Sequence, residues 1–194
     1  MTLANKITIG RILLIPLFVL VMLDYIRGHR LGEQQEWQRF AAFGIFAFAA
    51  ASDAVDGFIA RRFNQRSELG TYLDPLADKV LLITTLVLLS RDTGSAFQKL
   101  PLWFPVLVIS RDAILLGGFA LIHLLIGKTL PRPRIVGKLA TFFQMLTLGW
   151  IMLKIGRPTH EWPMVAAGFF TFCSGIWYIF DGIKQFNAHE AKKS

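Results

Sequence analysis

The chain has 194 residues, of which 54% are hydrophobic and 18% are charged, and it carries a formal net charge of +8. Soluble domains usually contain about 25% charged residues, so this composition excludes an ordinary soluble domain. The single cysteine, Cys173, excludes an intrachain disulfide. A basic balance in a chain this apolar indicates anionic membrane lipid as its partner and no nucleic acid.

Apolar segments follow one another along the whole chain. A helix of about 20 mostly apolar residues spans the roughly 30 Å of hydrocarbon in a bilayer. We therefore predict an all-α integral membrane protein with six transmembrane helices in a single domain, residues 1–194, and a short interfacial segment at Met1–Thr8. The predicted helices are Ile9–Asp24, Phe40–Ala60, Thr71–Leu89, Leu102–Ile126, Ile135–Ile155 and Pro163–Ile183.

The basic residues near the segment ends are unevenly divided between the two sides that six crossings define. Lys and Arg are enriched in the cytoplasmic loops of membrane proteins. In this chain, the side of the membrane with more Lys and Arg is also the side that holds both termini. We therefore expect a multi-pass protein of a bacterial-type inner membrane, with both termini and the Arg62–Leu69 loop in the cytoplasm. The larger set is Lys6, Arg11, Arg61, Arg62, Arg66, Lys128, Arg132, Arg134, Lys138, Lys184, Lys192 and Lys193, and the smaller is Arg27, Arg30, Arg39, Arg91, Lys99, Lys154 and Arg157.

Prolines and small residues have expected places in these helices. Pro101 and Pro105 suit the first turn of the fourth helix, and Pro163 that of the sixth, since the amide hydrogen that proline lacks has no partner there. Small residues allow helices to approach closely in lipid, where packing drives association. Those predicted at helix contacts are Gly44, Ala47, Ala49–Ala51, Gly117, Gly118, Gly168 and Gly175.

Four aspartates lie at the ends of the second and third segments. Asp53 and Asp56 are three residues apart, and Asp74 and Asp78 are four apart. Each spacing places its pair on one face of a helix. Because the link between the two helices is short, we expect antiparallel neighbours whose acidic faces converge at the cytosolic end.

Such a cluster is unfavourable without a compensating charge. A carboxylate at a helix centre costs about 2.5–3.5 kcal/mol on insertion scales, less near the interface, and mutual repulsion adds to that. A divalent cation with oxygen ligands, such as Mg²⁺, removes the penalty. Plainer interpretations also exist: Asp56-Gly57 is a common turn dipeptide, and Asp74-Pro75 is typical of a helix N-cap followed by its first residue.

Small and basic residues accompany the acids. Gly57, Ala60 and Gly70 leave room for a bulky ligand beside the helix backbone. Arg61 carries a guanidinium suited to bidentate binding of phosphate oxygens. Together with a metal ion, they indicate a site for phosphoryl transfer on a pyrophosphate.

The pattern resembles the signature of the CDP-alcohol phosphotransferases, D-x-x-D-G-x-x-A-R, then eight residues, then G-x-x-x-D-x-x-x-D. The N-terminal NKITIGRILLIP is similar to the family's opening motif through Asn5, Thr8, Arg11 and Pro16. GKLATFFQ, with Gly137, Lys138, Thr141 and Gln144, resembles a fifth-helix motif of the phosphatidylglycerophosphate synthase branch. The fixed positions of the signature are filled by Asp53, Asp56, Gly57, Ala60, Arg61, Gly70, Asp74 and Asp78.

The resemblance implies a homodimer in which six helices surround a cytosol-facing polar cavity. It implies attack of an alcohol on the lipid-linked phosphorus of CDP-diacylglycerol, releasing CMP, with Asp78 as the general base. The implied metal ligands, in a two-metal site for Mg²⁺ or Mn²⁺, are Asp53, Asp56, Asp74 and Asp78. The implied contacts to the CDP moiety are Asn5, Thr8, Gly57, Ala60, Arg61 and Gly70.

The acceptor alcohol is open between two anionic molecules. Arg111 lies well inside the fourth segment, and with Lys138 and Arg134 it favours an acceptor that carries phosphate; an interhelical ion pair is the structural alternative for Arg111. Glycerol 3-phosphate is the predicted acceptor, which makes the protein a CDP-diacylglycerol–glycerol-3-phosphate 3-phosphatidyltransferase of phospholipid biosynthesis. The triplet Ser110-Arg111-Asp112 looks closer to the cardiolipin-synthase branch, whose acceptor is phosphatidylglycerol.

A cation transporter with intramembrane carboxylates is the alternative of another class. Transport sites usually lie near the bilayer midplane, on broken helices in two related halves. Here the four acids belong to one helix pair near one face, and the sequence has no internal repeat. These features favour the enzyme.

Overall fold

A computed structural model describes residues 3–33, 35–63, 68–126, 135–156 and 161–190, and side-chain surroundings for 10–33, 35–52, 76–118, 135–156 and 161–183. The described chain is helical, with short connections. The helices are α1 (Leu3–Leu31), α2 (Glu36–Phe63), α3 (Glu68–Ser90), α4 (Trp103–Ile126), α5 (Ile135–Met152) and α6 (Glu161–Glu190).

Each predicted segment corresponds to one of these helices, but several ends differ. Helix α1 begins at Leu3, so Leu3–Thr8 are its first turns, where the sequence predicts a separate segment. Helix α5 ends at Met152 rather than at Ile155, because Lys154 takes a left-handed conformation with a φ of 53°. Pro105 and Pro163 lie in the first turns of α4 and α6, as predicted, whereas Pro101 precedes α4, which begins at Trp103.

The chain divides into two compact units, and the first comprises Met1–Leu100 and Leu148–Gly156. In this unit α1 packs against α2 and α3, and α2 also contacts α3. The rings of Phe18 and Phe46 lie 6.1 Å apart between α1 and α2. A Cβ at Gly149 would lie 3.3 Å from the Phe43 ring, so the end of α5 reaches α2 only because residue 149 has no side chain.

The second unit comprises Pro101–Thr147 and Arg157–Ser194, and in it α4 packs against α6. Gly168 lies under the indole of Trp103, which is 3.0 Å from the position of a Cβ. Gly168 and Gly175 thus occupy helix contacts as predicted. At Gly44, Gly117 and Gly118 no neighbouring atom of the described residues lies within 4 Å of a Cβ, so their helix contacts stay a prediction.

The described helices expose apolar side chains and bury several polar ones. Leu13 is 69% exposed and Phe48 is 65% exposed, whereas Arg11, Arg111 and Gln144 are buried. Among the described residues, three helical stretches are long and apolar enough to cross a membrane: Gly10–Leu31, Ile135–Met152 and Glu161–Ile183. Lipid is the solvent in which an apolar exterior is favourable, so this is a membrane protein.

A polar cluster fixes the start of α2 against the end of α5 within the first unit. Arg39 donates to Glu36 at 2.7 Å and to the Leu153 carbonyl at 2.8 Å, which satisfies a carbonyl just beyond the end of α5. Lys154 lies 3.7 Å from Glu36, and the Tyr25 hydroxyl donates to the same carboxylate at 3.3 Å. Partial burial raises the pKa of Glu36, but these donors and cations outweigh it, so the pKa lies below its usual value.

This cluster predicts a loss of stability in acid. Because the folded-state pKa of Glu36 is lowered, its contribution is present above the unfolded pKa, about 4.3, and is lost as the pH falls through the folded pKa. Glu36→Gln should therefore lower the melting temperature in detergent at pH 7 and reduce the further fall between about pH 5 and pH 3. Glu33→Gln, which changes an exposed acid in the preceding loop, is the control; identical acid profiles for Glu36→Gln and the wild type would contradict the prediction.

Candidate functional site

Helix α2 carries the first half of the aspartate motif. Asp53, Asp56, Gly57, Ala60 and Arg61 all lie within its last turns, and their side chains are outside the described part of the structure. Their spacing on a continuous helix places Asp53, Asp56, Gly57 and Ala60 on one face. The interpretation of Asp56-Gly57 as a turn is wrong, because both residues are helical.

Helix α3 carries the second half, Gly70, Asp74 and Asp78. Asp74 and Pro75 lie in the second turn of α3, which begins at Glu68, so the N-cap interpretation is also wrong. The side chains of residues 71–75, including that of Asp74, are outside the described part of the structure. Since α2 contacts α3, all eight positions of the motif belong to two touching helices.

Asp78 is the motif aspartate whose surroundings are described. Its carboxylate oxygen Oδ1 accepts a hydrogen bond of 2.8 Å from the Arg11 guanidinium of α1. The Arg11 side chain is fully buried, whereas that of Asp78 is 25% exposed. The carboxylate therefore lies at the edge of the helix packing, with its cationic partner behind it.

Sequence reasoning missed this contact. From the sequence, Arg11 is one of the basic residues that set the topology and one position of the N-terminal motif, with no role of its own. A signal existed, because an arginine in an apolar helix needs an anionic partner. Asn5 and Thr8 lie on the same helix, in its first turns, and their side chains are outside the described residues.

Arg111 lies in the second unit and is buried there. It donates to Asp112 at 2.8 Å and to the Ser174 hydroxyl of α6 at 2.8 Å. Its Nε is buried without a hydrogen-bond partner among the described residues. Among the described residues, the anion that Arg111 contacts is Asp112, the next residue on α4, and its hydrogen bond to α6 goes to a hydroxyl.

Because Gly137 has no side chain, the guanidinium of Arg111 can lie against α5. A Cβ on Gly137 would lie 2.9 Å from Nη2 of Arg111, closer than real Cβ contacts allow. Lys138 follows on α5 and is exposed, and Arg134 lies outside the described residues. The structure thus brings Arg111 and the Gly137-Lys138 pair of α5 close together.

The donor set of the motif fits a divalent metal. Carboxylate oxygens are the ligands that Mg²⁺ and Mn²⁺ prefer, and the four acids occur on helices that contact each other. The described acid, Asp78, is partly accessible and already has one oxygen held by a cation. The partial exposure of Asp78 leaves its carboxylate accessible to such an ion.

Comparisons with known proteins agree with the motif. Residues 1–174 match the family model described as CDP-alcohol phosphatidyltransferase. The chain is 33% identical over 180 residues to the CDP-diacylglycerol–glycerol-3-phosphate 3-phosphatidyltransferase of Pseudomonas fluorescens, covering 91% of this chain and 84% of that protein. Proteins of the same name from Bacillus subtilis and Escherichia coli K12 are 32% and 35% identical, covering 91% and 76% of this chain and 92% and 75% of their own lengths. The chain therefore belongs to the CDP-alcohol phosphatidyltransferase family.

Proposed function

We propose that this protein transfers a phosphatidyl group from CDP-diacylglycerol to glycerol 3-phosphate, giving phosphatidylglycerophosphate and CMP. The observation that carries the proposal is the complete aspartate motif on two contacting helices, in a chain that matches the family over residues 1–174. The names of these relatives support this acceptor. Family membership also favours an enzyme over the transporter alternative.

In the proposed reaction the acceptor hydroxyl oxygen attacks the phosphorus that carries diacylglycerol. The new phosphorus–oxygen bond forms as the bond to the CMP oxygen breaks, and CMP departs with the bonding electron pair. Asp78 takes the hydroxyl proton, a role that its partial exposure permits. Contacts to the CDP moiety are assigned to Asn5, Thr8, Gly57, Ala60, Arg61 and Gly70.

A metal centre is proposed at Asp53, Asp56, Asp74 and Asp78, for two ions of Mg²⁺ or Mn²⁺. When bound, such ions would neutralise the pyrophosphate and the charge that develops on departing CMP. Without them the four carboxylates of α2 and α3 would repel one another and the anionic substrate.

Acceptor binding is proposed for Arg111, Lys138 and Arg134. Arg111 supplies a guanidinium whose Nε has no hydrogen-bond partner among the described residues. Lys138 supplies an exposed ammonium on the same α5 segment that Arg111 approaches. Glycerol 3-phosphate offers these cations a terminal phosphate.

The proposed setting is an inner membrane crossed by all six helices, with both termini and the aspartate motif on the cytoplasmic side and two copies forming a dimer. The uneven distribution of Lys and Arg supports this orientation. Water-soluble glycerol 3-phosphate and CMP would then exchange with the cytoplasm, while the acyl chains of CDP-diacylglycerol remain in lipid.

The acceptor is tested by supplying purified protein with CDP-diacylglycerol and Mg²⁺ or Mn²⁺. We expect CMP release that depends on glycerol 3-phosphate, with phosphatidylglycerophosphate as the lipid product on thin-layer chromatography. Asp78→Asn should abolish turnover, because an amide cannot take the hydroxyl proton. Turnover with phosphatidylglycerol as the only acceptor would instead indicate a cardiolipin synthase.

The metal proposal predicts that a chelator removes activity and that added Mg²⁺ or Mn²⁺ restores it. Asp53→Asn and Asp74→Asn should each lower kcat at least about 100-fold and raise the metal concentration for half-maximal activity. Asp24→Asn, at an exposed acid of α1 in the same unit, is the matched control and should retain wild-type values. Full activity in excess chelator would exclude the metal centre.

The acceptor assignment of Arg111 predicts a selective change in KM. Arg111→Lys should raise KM for glycerol 3-phosphate about tenfold, because lysine lacks the planar fork that binds phosphate. The KM for CDP-diacylglycerol should stay unchanged. Ser174→Ala, which removes the hydrogen bond from Arg111 to α6 and keeps the charge of Arg111, should change acceptor KM less. Equal changes in both KM values would assign Arg111 to the packing of the second unit.

A further inference from the structure

We propose that Arg11 is the positioning residue of Asp78, fixing the carboxylate of the general base from a different helix. This inference rests on the proposed function, in which Asp78 takes the acceptor proton. The contact joins residues 67 positions apart and brings the N-terminal motif to the aspartate motif. The guanidinium of Arg11 would hold Oδ1 in place and so set the direction in which the carboxylate meets the acceptor hydroxyl.

The burial of the two partners is unequal, which distinguishes this pair from a purely structural one. The Arg11 side chain is 0% exposed and that of Asp78 is 25% exposed. In the second unit, Arg111 and Asp112 are each 7% exposed. Arg11 is therefore inaccessible to substrate, while the carboxylate that it holds can still be reached.

Energetics also argues against stability as the main role of the pair. Burying a guanidinium carries a desolvation penalty, and the attraction to its ionic partner often does no more than cancel it. Replacing a buried ion pair by apolar residues frequently leaves protein stability unchanged or raises it. An apolar residue at position 11 would suit the α1 core, where Phe18 and Met22 are fully buried. What an apolar residue could not do is hold a carboxylate in one orientation.

Orientation matters for a base because proton transfer requires hydrogen-bond geometry. A displacement of about 1 Å in a reacting group can cost about 100-fold in rate. Loss of Arg11 would remove the hydrogen bond that holds Oδ1 of Asp78, so the expected effect is on kcat. Binding of CDP-diacylglycerol should be unaffected, since Arg11 lies behind the carboxylate.

The experiment compares Arg11→Gln, Arg11→Met and Arg11→Lys in purified full-length protein. Arg11→Gln should lower kcat about 100-fold at saturating acceptor, with both KM values unchanged. Arg11→Lys keeps a cation beside Asp78 and should recover most of that loss. Direct binding of CDP-diacylglycerol without acceptor, measured by titration calorimetry in detergent, should match the wild type in all three. Arg11→Met fills the same space with an apolar side chain and replaces Arg11→Gln if that variant does not fold.

Two further variants test whether Arg11 acts through the Asp78 carboxylate or through the stability of the first unit. Arg39→Gln removes a largely buried arginine that pairs with Glu36 in the same unit, and should change melting temperature without changing kcat. Adding Arg11→Gln to Asp78→Glu, which keeps a carboxylate, should cause less loss than it does in the wild type, because both changes displace the same carboxylate.

The outcomes are distinguishable. If Asp78→Asn is inactive but Arg11→Gln keeps wild-type kcat, Arg11 has no positioning role and the proposed function stands. An Arg11→Gln variant that loses CDP-diacylglycerol binding would overturn the inference by making Arg11 a substrate contact. If Asp78→Asn turns over normally, Asp78 is not the base, and both the proposed mechanism and this inference fail.

Discussion

Pairing of buried charge is the constraint on which this structure depends. An arginine inside a lipid-embedded helix packing has no water to solvate it, so an acceptor on the protein must be supplied. For Arg11 an anionic acceptor comes from α3, and the pair thereby fixes which face of α3 meets α1. A rotation of α3 that removed Asp78 from this contact would separate a fully buried guanidinium from that carboxylate. The same contact therefore joins α1 to α3 and holds the carboxylate of the proposed base.

In the second unit, buried polar groups of α5 and α6 are paired in the same way, but these groups are uncharged amides and hydroxyls. Gln144 donates to Thr171 at 2.7 Å, and Thr171 in turn donates to the Ala167 carbonyl of its own helix. Such bonds join α5 and α6 in a setting where apolar surface alone gives no preference for helix over lipid. The stacked rings of Phe143 and Phe170, 5.4 Å apart, add shape complementarity beside them. The pairing of α5 with α6 is therefore specified by a few hydrogen bonds and by close packing, while many apolar side chains face outward.

Much of the fold follows from the sequence, because each long apolar run coincides with one helix of the structure. Helix ends are less predictable: Leu3–Thr8 include the polar residues Asn5, Lys6 and Thr8 yet belong to α1, since helical hydrogen bonding does not stop where hydropathy falls. The aspartate motif could be placed on two adjacent helices from its spacing. The contact of Arg11 with Asp78 could not be predicted in this way. The spacing of residues within one helix does not reveal which face of a neighbouring helix they will contact.

The environment of Arg111 bears on the choice of acceptor in a way that net charge does not. Asp112 and Ser174 already engage this guanidinium, so an anion that binds it must compete with a carboxylate at 2.8 Å. A terminal phosphate carries a charge of about −1.5 to −2 at neutral pH, as phosphorylated side chains do, and offers three acceptor oxygens. The phosphodiester of phosphatidylglycerol has a single charge and fewer free oxygens. If Arg111 binds the acceptor, a terminal phosphate would therefore compete with Asp112 better than a phosphodiester would, which favours glycerol 3-phosphate.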